Sequence, residues 1–340
     1  MHRRGKRSYS LTQLLLPLGI IVAGFWIGAT IRVVLQRLAA GRGSEQAGRI
    51  LEMILRLTVL ILFPLVFLAI FWSVNLTNFR LIVLPILGVF TIAAGGFLAV
   101  GASKLLKLNR GQTGSMFTQG AFFNIGSLGS IICFAFLGEE SLAILGLFRM
   151  FEEITYYLFA YPVAKSYGAA PSAERTEKRS DRILKLLKDP YILVFFLAIL
   201  FGIALNLSPL ERPDFVAASV GWLVMISAFL MMLSVGYNTR VTSIRRYLKP
   251  SLAIAVIKFA LVPAAVALLG FLLGLGHMND GQVMKVLVIL ASTPPAFGSL
   301  VPPRLYQLDT ALTDASWLFN TVVFIVAIVP LQYAVVTWLL

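Results

Sequence analysis

Cysteine is almost absent from this chain, and so is histidine: Cys133 stands alone, and His2 and His277 are the two histidines among 340 residues. One thiol excludes an intrachain disulfide framework and says nothing about redox compartment. Both histidines lie outside the apolar runs, which argues against a histidine metal site. Charge is scarce too, at 13% of residues against ~25% in a soluble domain. The motifs of hydrolytic and nucleotide-driven chemistry are missing: no HExxH, GxSxG, Walker A or CxxC occurs. No apolar run holds a serine–histidine pair or two matched aspartates for intramembrane proteolysis. An enzyme is not expected, nor is a pump driven by ATP.

Apolar residues are what the chain has in excess, at 59%, with a mean hydropathy of +0.87. The apolar runs reach about 20 residues, the length of a helical membrane span rather than of a ~10-residue barrel strand. An all-α integral membrane protein follows. The net charge of +14 sits mostly in short loops between apolar runs. That placement fits the positive-inside rule and attraction to anionic lipid rather than a nucleic-acid partner.

Ten spans are read from the hydropathy pattern: 11–34, 55–75, 81–103, 115–137, 141–166, 190–207, 217–238, 250–275, 284–305 and 312–339. The polar run between Lys165 and Asp189 divides them five and five. The expected organisation is a first five-helix unit over 1–166, a linker over 167–189 and a second unit over 190–340. Part of the linker, KRSDRILKLLKD, reads equally as a surface amphipathic helix or as solvated chain. The basic start MHRRGKR precedes an apolar run too long for a signal peptide core, so a retained span is expected. Basic residues concentrate on the side carrying Arg37, Lys104, Lys107, the linker, Arg245, Arg246 and Arg304. That side is expected in the cytoplasm, with both termini outward, although the basic N-terminus opposes this orientation.

The fourth span is poorly suited to a continuous helix. Its middle, NIGSLG, places Asn124, Gly126, Ser127 and Gly129 within six residues, and glycine costs roughly 1 kcal/mol per helix position relative to alanine. The ninth span, fourth of its own half, is interrupted by TPPAFG over 293–298. A five-span unit is odd, so repeating it inverts its topology. Paired interruptions in two inverted halves point to a transport site near the bilayer midplane. Glycine and proline are common in membrane helices, but the coincidence of position favours the site. Asn124 offers a side-chain amide there, with Ser127, Ser292, Thr293 and Gln119 nearby. Helix ends exposed by the breaks would attract anions at N-termini and cations at C-termini.

Charge inside spans is costly and commonly functional. The fifth span holds Arg149, Glu152 and Glu153, spaced so that the arginine reaches both acids on a helix. One carboxylate is then in excess. It is open to binding sodium, to carrying a proton, or to meeting Lys258 of the eighth span. Pairing with a glutamate is the expected role of Lys258 over direct anion contact. Glu152 and Glu153 point about 100° apart on a helix, so one of them faces the site. Asp314 and Asn320 lie on the tenth span without further support.

At these residues the chain resembles the auxin efflux carrier (AEC) family of the wider bile-acid/arsenite/auxin transporter superfamily, which includes bacterial organic-anion permeases and plant PIN carriers. The resemblance rests on NIGSLGSI over 124–131 with FLGEESLA over 136–143, on KFALVP over 258–263, and on ASTPPA over 291–296 with Tyr306 and Asp309 following. Ile131 stands where the family has a proline, and Gln307 where it has a glycine. The resemblance implies ten helices in two inverted repeats, with helices 4 and 9 broken and crossing. It also implies a moving transport domain of elevator type, and a substrate carboxylate held at the crossing, where this chain offers Asn124, Pro294 and Pro295. The expected function is a secondary transporter or facilitator of a small organic anion in the cell membrane. No cofactor is expected beyond proton or sodium coupling. A homodimer accords with the family's habit. A sodium-coupled symporter and a non-transporting receptor on the same fold are the alternatives.

Overall fold

The computed structural model describes residues 11–38, 46, 49–50, 53–54, 56–73, 79–168, 190–238 and 244–338. The basic N-terminal heptapeptide and the linker from 169 onward, with its candidate surface helix, lie outside the described residues. Everything described is helix, turn or short connection; among the described residues no strand forms.

The helices are α1 (Leu11–Leu38), α2 (Phe63–Phe71), α3 (Leu84–Leu105), α4 (Arg110–Ala121), α5 (Ser130–Leu137), α6 (Glu140–Phe148), α7 (Glu152–Thr155) and α8 (Tyr161–Tyr167) in the first half. The second half has α9 (Pro190–Asn206), α10 (Asp214–Asn238), α11 (Leu248–Val256), α12 (Val262–Leu272), α13 (Gln282–Ala291), α14 (Val301–Leu305), α15 (Thr310–Val323) and α16 (Val329–Trp338). Three continuous helical stretches among the described residues are long and apolar enough to cross a membrane: Leu81–Leu105, Arg245–Leu272 and Thr310–Val336. The expected fourth and ninth spans are each two shorter helices.

Proline sets a recurrent local feature. The wide turns Thr58–Leu62, Tyr156–Ala160, Ile257–Leu261 and Phe324–Ile328 are π-helical. Each is followed two residues later by a proline: Pro64, Pro162, Pro263 and Pro330. A proline ring has no N–H to donate and crowds the carbonyl one turn back, so the ladder widens just before it instead of breaking.

Two groups of helices result. The helices α1 and α10 lie along each other, and α2 packs on α9 and α10. The α1–α10 contact is backbone-close: a Cβ on Gly28 would collide with the Leu233 carbonyl, and one on Gly236 with the Phe25 carbonyl. Small residues at such a crossing let helices approach where lipid gives no hydrophobic drive. The second group joins α3 to α4, α4 to α8, α11 to α15 and α12 to α13. The groups meet where α2 touches α6 and where α1 and α10 touch α5. An ion pair also spans them: Arg212, before α10, holds Glu139, at the start of α6, and donates to the Ala69 carbonyl at 3.0 Å.

On the side of these two charges a cavity of about 660 Å³ opens, lined among others by Glu139, Arg212, Asp280, Gln282 and Leu147. It lies among the connections α2–α3, α5–α6, α9–α10 and α12–α13, and the interrupted segments do not line it.

Candidate functional site

The helix α4 is started by a reciprocal cap, in which Asn109 accepts from the Gln112 N–H and Gln112 accepts from the Asn109 N–H. It ends at Ala121. Phe122 is extended (φ −88°, ψ 121°), Asn124 has φ −82° and ψ 54°, and a π turn over Ile125–Gly129 leads into α5. In the other half α13 ends at Ala291, Ala296 is extended (φ −66°, ψ 156°), and a 3₁₀ turn over Phe297–Leu300 leads into α14.

The two interruptions bind each other. The Asn124 N–H donates to the Pro294 carbonyl at 2.9 Å, and the Ala296 N–H donates to the Phe122 carbonyl at 3.2 Å. Phe123 and Pro295 thereby form an antiparallel bridge. Backbone that has left its helix in an apolar surround needs such partners.

The first break therefore falls earlier than glycine content predicts. Residues 122–124 have left the helix, with Phe122 extended, while Gly126 and Gly129 lie in the helical turn that follows. The pairing with 294–296 is a long-range effect that local propensity does not register. Ile131, buried within α5, shows that the break forms without a proline at that position.

Side chains from two other helices hold the extended residues. Lys258, in the π turn between α11 and α12, is 0% exposed. Its Nζ donates to the Phe122 carbonyl at 2.6 Å and lies 3.1 Å from the centre of the Phe123 ring. Among the described residues no glutamate oxygen lies within ion-pair distance of Lys258, yet the Glu152 carboxylate and Lys258 act on each other electrostatically at longer range. The Nζ thus sits at the carbonyl end of α4, where a positive charge is favoured.

The Phe123 N–H donates to the Tyr156 hydroxyl at 3.0 Å, and that hydroxyl donates to Glu152 Oε1 at 3.0 Å. The ring of Tyr156 stacks on Phe122 with centres 4.2 Å apart. Tyr156 is absent from the sequence reading; its signal was the position four residues after Glu152 on one helix face.

Arg149 and Glu152 do meet, with Nε and Oε2 2.9 Å apart. The N–H is not aimed at the oxygen, so the contact is an ion pair without a hydrogen bond. The helix is interrupted between Phe148 and Glu152, so this contact spans a turn rather than a regular helix face. Glu152 is buried and Glu153 exposed, as the 100° separation requires.

Asn124 is oriented by chemistry. Its Oδ1 accepts from the Leu128 N–H at 3.3 Å and from the Ser127 hydroxyl. A backbone N–H is a donor only, so the oxygen must face it. The amide nitrogen is left with two hydrogens and no partner among the described residues. Ser292 and Thr293 instead return their hydroxyls to the end of α13, donating to the Val288 and Leu290 carbonyls. Gln332 donates to Ser292 Oγ at 2.8 Å, and Gln119 to Ser299 Oγ at 2.7 Å. Pro294 supplies its carbonyl to the crossing and Pro295 its bridge position.

The remaining polar residues make contacts within the fold. Asp309 caps α15 by accepting from the Leu312 N–H at 2.9 Å, and it receives Gln112 Nε2 at 3.2 Å and the Tyr247 hydroxyl at 3.3 Å. Gln307 has φ 54°, the left-handed region where glycine costs nothing, which accounts for the glycine of the resembling motif. Asp314 pairs with Arg304 at 2.8 Å, and Asn320 donates to the Ser251 and Ser316 carbonyls. Among the described residues no cluster of three metal-ligating side chains occurs.

A helical membrane protein whose two halves are each interrupted, and whose interruptions pair through their backbones, is the class that this geometry defines. The chain belongs to the auxin efflux carrier family: the family profile described as membrane transport protein matches residues 50–331. It is also similar to an uncharacterized transporter of Methanocaldococcus jannaschii, 26% identical over 241 residues, or 69% of this chain and 73% of that protein. The chain is thus a membrane transport protein.

Proposed function

We propose that the protein is a secondary transporter or facilitator of a small organic anion, whose carboxylate binds where the two interrupted segments cross. The observation that carries this reading is Asn124: its oxygen is consumed by the Leu128 N–H, so the side chain can only donate outward. Two helical turns begin at the same place, at Ile125 and Phe297, and helix N-termini favour anions. Pro294 and Pro295 frame the crossing, and Ser127 fixes the amide. The Glu152 carboxylate is engaged by Arg149 and Tyr156, which favours a charge-balancing role over a coupling one.

The ten apolar segments are ten spans in two inverted repeats, 1–166 and 190–340, joined by a cytoplasmic linker. Correspondences between the halves support this. The helices α4 and α13 end at Ala121 and Ala291, and the π turns Tyr156–Ala160 and Phe324–Ile328 precede Pro162 and Pro330. The packing of α1 on α10 is matched by that of α9 on α2. The group of α1, α2, α9 and α10 is the scaffold, and the rest, carrying the crossing, moves against it. The cavity beside Arg212 and Glu139 is the outward vestibule.

The test is flux into proteoliposomes of radiolabelled benzoate, succinate and indole-3-acetate, each with and without sodium and a proton gradient. At least one is carried, and Asn124→Asp, which keeps the oxygen and loses both donors, abolishes its flux while the protein stays folded. Unchanged flux in Asn124→Asp sinks the site. Ligand binding without flux for any of the three identifies a receptor instead.

A further inference from the structure

Arg149 has surroundings that an ion pair with Glu152 does not explain. It lies in the connection from α6 to α7, within the moving group. Its guanidinium carbon is 5.9, 6.0 and 5.5 Å from the ring centres of Phe63, Phe67 and Phe195, which belong to the scaffold helices α2 and α9. Three ring faces hold a cation and offer no hydrogen-bond acceptor in their place.

The other side of the guanidinium rests on the crossing. A Cβ added to Gly126 would lie 2.6 Å from Nη1 and 3.2 Å from Nη2. The arginine head thus fills the volume that any side chain at 126 would take. Gly126 is two residues from Asn124 and, unlike its neighbours in the turn, is partly exposed. Glu152 approaches through Nε alone, and Nη1 and Nη2 donate to no group among the described residues. Leu147, two residues before Arg149, lines the vestibule. Aromatic faces, an unused pair of parallel donors and a side-chain-free backbone converge at the seam between the two groups.

We propose that Arg149 is the direct anchor of the substrate carboxylate, taking it on the Nη1–Nη2 edge beside Gly126 while Glu152 stays on Nε. A guanidinium fork matches two carboxylate oxygens, which an ammonium or a lone amide does not. The three phenylalanines fix the fork and keep water from its faces, so this residue selects a carboxylate over a neutral isostere. The proposal rests on the organic-anion reading above and names the residue that recognises the charge.

Equilibrium dialysis of the purified full-length chain tests it, with radiolabelled benzoate, succinate and indole-3-acetate each set against its methyl ester. The wild-type protein holds at least one acid about ten- to a hundredfold more tightly than its ester, the worth of a charged hydrogen-bonded pair. Arg149→Gln removes that preference, Arg149→Lys restores part of it, and Gly126→Ala lowers it without changing any charge. Should Arg149→Gln not fold, as judged by gel filtration, the lysine and Gly126→Ala variants decide. A wild-type acid-to-ester ratio in the variants overturns the assignment, as does a wild-type protein that prefers none of the three acids. Flux of a tested acid with an unaltered Arg149→Gln ratio refutes the anchor and leaves the transport reading standing. Loss of acid preference in Arg149→Gln without wild-type flux refutes transport and leaves the anchor.

Discussion

The ammonium of Lys258 donates to the carbonyl oxygen of Phe122 at 2.6 Å, across a separation of 136 residues. A cation buried at 0% exposure is thus spent on a backbone acceptor at the point where α4 stops. Lys258→Met preserves length and apolar fit but deletes the donor. We expect a loss of about 2 kcal/mol, within the ~1.5–3 kcal/mol range for a hydrogen bond to a charged group. Thermal unfolding in detergent, followed by tryptophan fluorescence, reads it. Unaltered melting would show that the crossing does not depend on the ammonium.

Tyr156→Phe strips the acceptor from the Phe123 N–H and a donor from Glu152 in one change. The stranded amide costs about 1–3 kcal/mol. The local signature is faster hydrogen exchange at Phe123, resolved by peptide mass spectrometry. An exchange rate equal to that of the wild type counts against the tyrosine as the holder of the extended segment.

Gln307 adopts φ 54° with a side chain that gains nothing from it in hydrogen bonding among the described residues. Left-handed backbone costs a residue with a Cβ roughly 1–2 kcal/mol. Gln307→Gly should therefore raise the melting temperature, the gain being reduced to about 1 kcal/mol by the freer unfolded chain. A lower melting temperature would contradict the conformational account.

The Arg212–Glu139 pair joins the group of α1, α2, α9 and α10 to the group that carries the crossing, and both residues line the cavity. If the groups slide during transport, this contact breaks in every cycle. Partly exposed pairs contribute about 0.2–1 kcal/mol, so Glu139→Gln should raise the flux rate a few-fold at low salt. The difference should fade in high salt, where the pair is already screened. A lower rate at low salt would show that the pair supports the transporting state.

Apolar run length made the all-helical class legible, because it is a local property, and three helical stretches among the described residues are long and apolar enough to cross a membrane. The interruptions were legible too, as clusters of glycine and proline at matching positions. Their register was not: residues 122–124 leave the helix because 294–296 supply partners, and no window of sequence contains both. A lysine inside a span demands compensation, and Lys258 has it from two sources, a helix carbonyl end in direct contact and the Glu152 carboxylate at longer range. The separation of Glu152 from Glu153 followed from helix geometry alone. The phenylalanine enclosure of Arg149 was invisible, since Phe63, Phe67 and Phe195 sit among many apolar residues that read alike. Only their common neighbour distinguishes them.

The exchange of backbone bonds between 122–124 and 294–296 has a topological consequence. The chain is clasped at two remote midpoints, so neither half is a finished object. Expressed alone, each would leave its central amides and carbonyls facing hydrocarbon, at a cost of several kcal/mol per group. Two polypeptides cut within the linker should therefore seek each other out in one membrane and reassemble, with the clasp as their recognition element. Whatever displacement carries one broken helix must carry the other with it.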